Sequence, residues 1–234
     1  MNANPYFPRS FYRVSKRGLD VLGALVLMVL LAPVMLIIFC LIYMRMGPPV
    51  LFRQVRPGLD AHPFTVVKYR TMVDAYDPEG NPLPDIQRVT PLGRNLRRAS
   101  LDELPQLWNV LVGEMSFVGP RPLLMEYVSL YSPEQRRRLE VKPGITGLAQ
   151  ISGRNNIPWE DRLRLDVNYV DKASLWFDLV ILARTIKYVL FSRSVHVSGV
   201  DQVHKFQGTM GNSPKQRSGA ANIGTRPTIV DDRE

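Results

Sequence analysis

From Val21 to Met44 the chain carries no charged side chain, and this stretch limits its fold more than any other. Coiled as a helix, about 24 residues rising 1.5 Å each extend about 36 Å, more than the hydrocarbon thickness of a bilayer, about 30 Å. The run is too long for a signal-peptide core and lacks a convincing cleavage site after it, so it reads as a retained membrane segment. Pro33 stands at its centre, where it removes an amide donor and clashes with the carbonyl four residues back, so a kink is expected.

Basic residues flank both ends of this run: Arg13, Lys16 and Arg17 before it, Arg45, Arg53 and Arg56 after it. The positive-inside tendency places both ends in the cytoplasm, which a straight span cannot satisfy and a re-entrant hairpin can. On the residues alone, a hairpin over 18–46 and an ordinary kinked transmembrane helix both stand. Residues 1–17 interleave Tyr6, Phe7, Phe11 and Tyr12 with Arg9, Arg13, Lys16 and Arg17, the mixture of a membrane interface; a disordered basic leader is the plainer alternative.

With 234 residues and a net charge of +9, the rest of the chain suffices for one ordinary core and favours an anionic partner: nucleic acid, a membrane face or a phosphorylated substrate. The one cysteine, Cys40, rules out an intramolecular disulfide. His62, His196 and His204 are scattered without metal-ligand spacing, which argues against zinc.

After Gly47-Pro48-Pro49, Val50 to Gln54 and Phe64 to Tyr69 read as a hairpin about a Pro57-Gly58 turn, and 74–86 as a surface loop. Met115 to Val118 is extended and closes on Gly119-Pro120-Arg121-Pro122. Ser132-Pro133 starts a helix that ends near Arg136-Arg137-Arg138, a run expected to face solvent or lipid head groups. Glycine-marked turns at 143–147 and 152–155 bracket Leu148 to Ile151. Helices are expected over 158–172 and 176–191, the latter either core or membrane-surface, and a polar, glycine-rich, disordered tail over 192–234.

Chemistry concentrates at Arg97-Arg98-Ala99-Ser100-Leu101-Asp102-Glu103-Leu104-Pro105. Leu101, Leu104, Leu107, Trp108 and Leu111 recur at helical spacing, which puts Asp102 and Glu103 in a first turn, where backbone N–H groups favour anions. On its own, Ser100 followed by Glu103 is a capping box. Arg94, Arg97, Arg98 and Arg121 bring more cation than two carboxylates require, however, and guanidinium groups match phosphate oxygens. A carboxylate beside a bound phosphate can attack phosphorus. Arg154, on a glycine turn, is a second phosphate-contact candidate.

In this order, Lys16-Arg17 with Asp20, Phe52-Arg53-Gln54, Lys68-Tyr69-Arg70-Thr71-Met72, Ser100 to Pro105, Gly119 to Pro122, Pro143 to Gly147 and Gly153-Arg154 resemble the bacterial sugar transferases. These are monotopic phosphoglycosyl transferases, and the likeness runs from about Phe11 to Phe191. The resemblance implies an enzyme at the cytoplasmic face of the bacterial inner membrane that moves a sugar 1-phosphate from a UDP-sugar to undecaprenyl phosphate, with Mg2+, releasing UMP. That is the first membrane step of surface glycan assembly. It further implies Asp102 as nucleophile and Glu103 as its dyad partner, both near the metal, with Arg97, Arg121 and Arg154 holding phosphate or nucleotide. Lys68 and Arg70 lie in another family motif. The family's re-entrant helix favours the hairpin, although its usual Ser-Pro pair is Ala32-Pro33 here.

The expected fold is α+β: a leader over 1–17, a re-entrant membrane helix hairpin over 18–46 broken at Pro33, and a compact, mostly helical cytoplasmic catalytic domain over 47–191 with a small β-hairpin. Expected partners are the UDP-sugar, undecaprenyl phosphate and an anionic bilayer; a homodimer is left open. Two rivals compete: a membrane-attached binding module in which Asp102 and Glu103 merely cap a helix, and a nucleic-acid binder, which the apolar segment makes a poor third.

Overall fold

The computed structural model describes residues 9–153, 157–191 and 206–208. Helix α1, Arg9–Met46, is helical throughout, Pro33 included, and begins within the stretch expected to be a leader. Gly47 ends it in the left-handed region (φ +67) that glycine tolerates, its N–H donating to Tyr43 O at 3.0 Å. Both arms of α1 pack on the globular body. In the first arm Asp20, 5% exposed, accepts from Ser116 Oγ and Phe117 N, both at 3.1 Å, and Arg17 donates to Val110 O and Leu111 O at 2.6 and 2.7 Å. Ala24 is fully buried with Phe64, Val66, Val110 and Met115. In the second arm Ile38 and Ile42 bury against Val50, Tyr69 and Leu96, and Tyr69 Oη donates to Met35 O at 2.8 Å. Between the arms Val29, Leu30, Leu36 and Ile37 lie exposed.

Strands β1 (Leu51–Pro57) and β2 (Pro63–Tyr69) form the expected antiparallel hairpin, in register from Leu51 opposite Tyr69 to Pro57 opposite Pro63. Alternation along β2 puts Phe64, Val66 and Lys68 on one face, so the buried stripe that starts on phenylalanine ends on an ammonium. Short helix α2 (Asp85–Arg88) lies within the expected loop region and its edge, and α3 (Pro91–Arg98) follows it. A signal for α3 was present: Thr90 caps Gly93 N at 2.9 Å, and proline takes the first position.

Helix α4 (Gln106–Val112) is fastened to β2 by Asn109, 1% exposed, which donates to Thr65 O at 2.8 Å and accepts from Val67 N at 3.2 Å. Strand β3 (Ser116–Val118) pairs in parallel with β4 (Gly144–Thr146). The glycine turn expected at 143–147 is thus partly a strand, because Gly144 and Gly147 let two backbones approach where side chains could not. The remaining helices are α5 (Pro133–Arg136), α6 (Leu148–Ile151), α7 (Trp159–Lys172) and α8 (Leu175–Phe191).

Helix α8 divides its faces: Ile181 joins Val118, Leu148 and Tyr169 in the core, while Trp176, Leu179 and Ile186 are exposed. The basic run 136–138 faces outward only in part: Arg136 is exposed as expected and Arg137 half-exposed, but Arg138 turns inward. Arg138 is 2% exposed, and Arg137 pairs with Glu134, Glu140 and Asp171, because acidic groups on α5 and α7 meet them there. Most of the expected tail lies outside the described residues, but Phe206, 4% exposed, packs with Tyr127, Tyr131 and Trp159.

A Cβ at Gly144 would stand 2.1 Å from Gly119 N and 2.4 Å from Thr146 O, both rigid backbone. Gly144→Ala is therefore expected to destabilise the protein by about 2 kcal/mol or more, about 4 °C or more in Tm. Gly18→Ala, with nothing within 4 Å, should leave Tm unchanged or higher in the same thermal scan.

Candidate active site

Asp102 and Glu103 occupy a single 3-10 turn, Leu101–Glu103, that joins α3 to α4. They precede α4 rather than sit in its first turn, because Leu104 and Pro105 intervene before the helix proper at Gln106. Leu101 and Leu104 pack against the core formed by the second arm of α1, β2 and α3. Ser100 enters the turn in the left-handed region (φ 56) with no side-chain capping bond, so the capping box does not form. The Glu103 carboxylate turns away from Ser100 toward two cations.

Lys68 Nζ reaches Glu103 Oε1 at 2.7 Å, and Arg121 Nη2 reaches the same oxygen at 2.8 Å. Burial pushes the Glu103 carboxyl up, but the two cations and their hydrogen bonds outweigh it and hold the group far below the usual carboxylate range. Asp102, 9% exposed, moves the other way. Burial raises it, the Glu103 charge adds to the rise, and Lys68, Arg121 and Arg97 return only part of it. Burial and the Arg121 charge lower the Lys68 ammonium, against the pull of Glu103. Two adjacent carboxylates are thus pushed in opposite directions, an arrangement that separates chemical roles. Glu103 is an ion-paired anchor. Asp102 makes no ion pair of its own among the described residues and is the carboxylate in which the opposition of burial to ionisation prevails.

Arg97 lies on the last turn of α3, fixed by its Nε–H to Thr71 Oγ1 at 2.9 Å, where its charge bears on Asp102. Arg70 goes elsewhere: it donates to Met46 O and, at 2.6 Å, to Gly47 O, satisfying carbonyls at the end of α1. Arg154 lies outside the described residues. Gln106 was not singled out from sequence. It is 3% exposed at the first position of α4, its Nε2 without a hydrogen-bond partner among the described residues, and a polar residue straight after a proline at a helix start was the available signal. Among the described residues no group of three His, Cys, Asp or Glu converges to hold a metal. Asp102 and Glu103 nevertheless offer adjacent carboxylate oxygens, the donor type that a hard divalent cation such as Mg2+ would take.

A family model described as bacterial sugar transferase matches residues 11–192. The chain belongs to this family. The match covers α1 through α8, and so includes every element of the dyad's surroundings. EpsL of Bacillus subtilis (strain 168), named a sugar transferase, is 48% identical over 196 residues, which are 84% of this chain and 97% of that protein. The UDP-glucose:undecaprenyl-phosphate glucose-1-phosphate transferase of Caulobacter vibrioides is 41% identical over 78% of this chain and 72% of its own. The undecaprenyl-phosphate galactose phosphotransferase of Salmonella typhimurium is 36% identical over 76% of this chain, but only 41% of its own length.

The Asp102 shift has a measurable sign. A carboxyl raised in the folded state costs stability at pH values above its folded value; the cost fades as pH falls and is gone below the unfolded value, about 3.9. Asp102→Asn is therefore expected to raise Tm near pH 7, with the gain shrinking toward pH 4. Thermal unfolding across that range checks it, and an Asn variant less stable than wild type at neutral pH would contradict the shift.

Proposed function

We propose that this chain transfers a sugar 1-phosphate from a UDP-sugar to undecaprenyl phosphate through a covalent aspartyl intermediate on Asp102. The observation that carries the proposal is geometric: a buried Asp102 carboxylate directly beside Glu103, whose Oε1 is held by both Lys68 and Arg121. The relatives named for such transfers to undecaprenyl phosphate support it.

An Asp102 oxygen attacks the sugar-linked phosphorus of the donor; the bond from that phosphorus to the bridging oxygen breaks, and UMP leaves with the electron pair. Glu103 engages one donor of Lys68 and one of Arg121, and an ammonium has three N–H groups and a guanidinium five, so the same cations have donors for phosphate oxygens. Arg97 adds charge from the Asp102 side. Asp102 and Glu103 would hold Mg2+, which when bound supplies positive charge against the phosphate oxygens. An oxygen of undecaprenyl phosphate then attacks the acyl phosphate, the carboxylate departs, and the lipid diphosphate sugar is released.

The reading also gives the lipid acceptor a path. The exposed apolar middle of α1 would enter one leaflet of the bacterial inner membrane and return, leaving the site on the cytoplasmic face. Supporting this, the two arms of α1 pack with residues only three apart on β2, Val66 and Tyr69, about 10 Å along a strand. The apolar face of α8 and exposed Phe11 and Val14 add surface suited to lipid.

Incubating enzyme with UDP-sugar and Mg2+ but no lipid acceptor should release about one UMP per enzyme and add a sugar-phosphate mass to the peptide containing Asp102, neither occurring in Asp102→Asn. With a substrate confirmed by turnover, absence of both in wild type rejects the covalent route in favour of direct attack by lipid phosphate. For the topology, cysteines placed at positions 10 and 60 of a Cys40→Ala variant should both resist a membrane-impermeant reagent applied outside the cytoplasmic membrane. Labelling of position 10 from outside would reject the hairpin.

A further inference from the structure

Arg138 heads the large side chains that are fully buried, and a buried guanidinium needs a reason. Its donors are nearly all committed. Nε and Nη2 reach Asp166 Oδ2 at 3.0 and 2.7 Å, Nη1 reaches Tyr131 Oη at 3.1 Å, and Nη2 also donates to the backbone carbonyl of Arg121 at 2.7 Å. Asp166 is 2% exposed on α7. Were the task only to join α7 to the turn at 137–139, a packed apolar pair would serve as well or better, since desolvating two charges is expensive. What an apolar pair could not do is donate to Arg121 O.

That carbonyl sits at a sensitive point. Pro120 and Pro122 fix φ on either side of Arg121, Gly119 N donates to Thr146 O at 2.9 Å, and Gly144 N donates to Pro120 O at 3.0 Å. Arg138 supplies the last main-chain restraint before the Arg121 side chain departs. That side chain is 44% exposed and borders a small cavity lined also by Pro57, Pro120 and Arg138, so packing alone does not hold it on Glu103.

We propose that Arg138, neutralised by Asp166, is a positioning residue that aims the Arg121 guanidinium into the Asp102–Glu103 site. A planar fork is sensitive to such aim, whereas an ammonium on a flexible stem is far less so. The inference rests on the reading of Arg121 as a phosphate-holding residue, and the test keeps the two apart.

The test is a double-mutant cycle on UMP release with UDP-sugar and undecaprenyl phosphate, using Arg121→Lys, Arg138→Lys and both together, with Tm measured for each. A loss of tenfold or more in kcat/KM for Arg121→Lys tests the reading; unchanged activity overturns that reading and the inference with it. Given that loss, Arg138→Lys should lower kcat/KM tenfold or more in the wild-type background but less than twofold in Arg121→Lys, where no fork remains to be aimed. Equal losses in both backgrounds would mean a general packing role and would overturn the inference, as would full activity in Arg138→Lys. If Arg138→Lys does not fold, Asp166→Asn, which keeps shape and an oxygen acceptor, runs through the same cycle with the same two outcomes.

Discussion

One carboxylate oxygen, Glu103 Oε1, holds three separate pieces of chain together. Lys68 comes from the end of β2, Arg121 from the proline-flanked segment after β3, and Glu103 from the turn between α3 and α4. Glu103 is the most buried of the three, its side chain 15% exposed against 25% for Lys68 and 44% for Arg121, so it is the group that burial would penalise most without its partners. Removing any one leaves the others mismatched. Asp102 is placed in part by this arrangement, as the neighbour of the residue that both cations hold, and in part by Leu101, which packs into the core on its other side.

That arrangement makes the two carboxylates unlike. Glu103 is spent on electrostatics, and its charge, with burial, is what keeps Asp102 from relaxing to an ordinary aspartate. Asp102 thus stores unfavourable ionisation in the folded protein, a local loss of stability that the surrounding contacts offset. The Asn109 clamp between β2 and α4 is one of the contacts that hold the elements on either side of the turn together.

Sequence reasoning found the β-hairpin, α7, α8 and the apolar helix, and pointed to Asp102 and Glu103 among cations, because each carries a local signature: alternation, helical spacing, an uncharged run, adjacent acids among arginines. It missed β4 because the pairing of β3 with β4 is parallel and long-range, and three residues beginning with glycine look like a turn until the partner strand is known. It misread Arg138 for a related reason. A run of three arginines looks solvated, and only the fold brings Asp166, 28 residues on, against one of them. The capping box failed instructively: the Ser and Glu were correctly spaced, but two tertiary cations competed for the glutamate and won. Arg70 shares a motif with Lys68 yet serves another place, because it stands one residue past the end of β2, beside the end of α1, where it donates to Met46 O and Gly47 O.

The two-armed grip of α1 has a consequence for how the parts of this chain can be separated. Ala24, Ile38 and Ile42 are members of the globular cores, and Arg17 and Asp20 complete the backbone bonding of α4 and β3. The apolar helix is therefore not a handle attached to an otherwise finished protein. Cutting it away at residue 46 would open two cores and take the Arg17 donors from the carbonyls of Val110 and Leu111. The apolar helix and the globular body form one folding unit, and any tilt of the helix is felt directly at β2, the strand that carries Lys68.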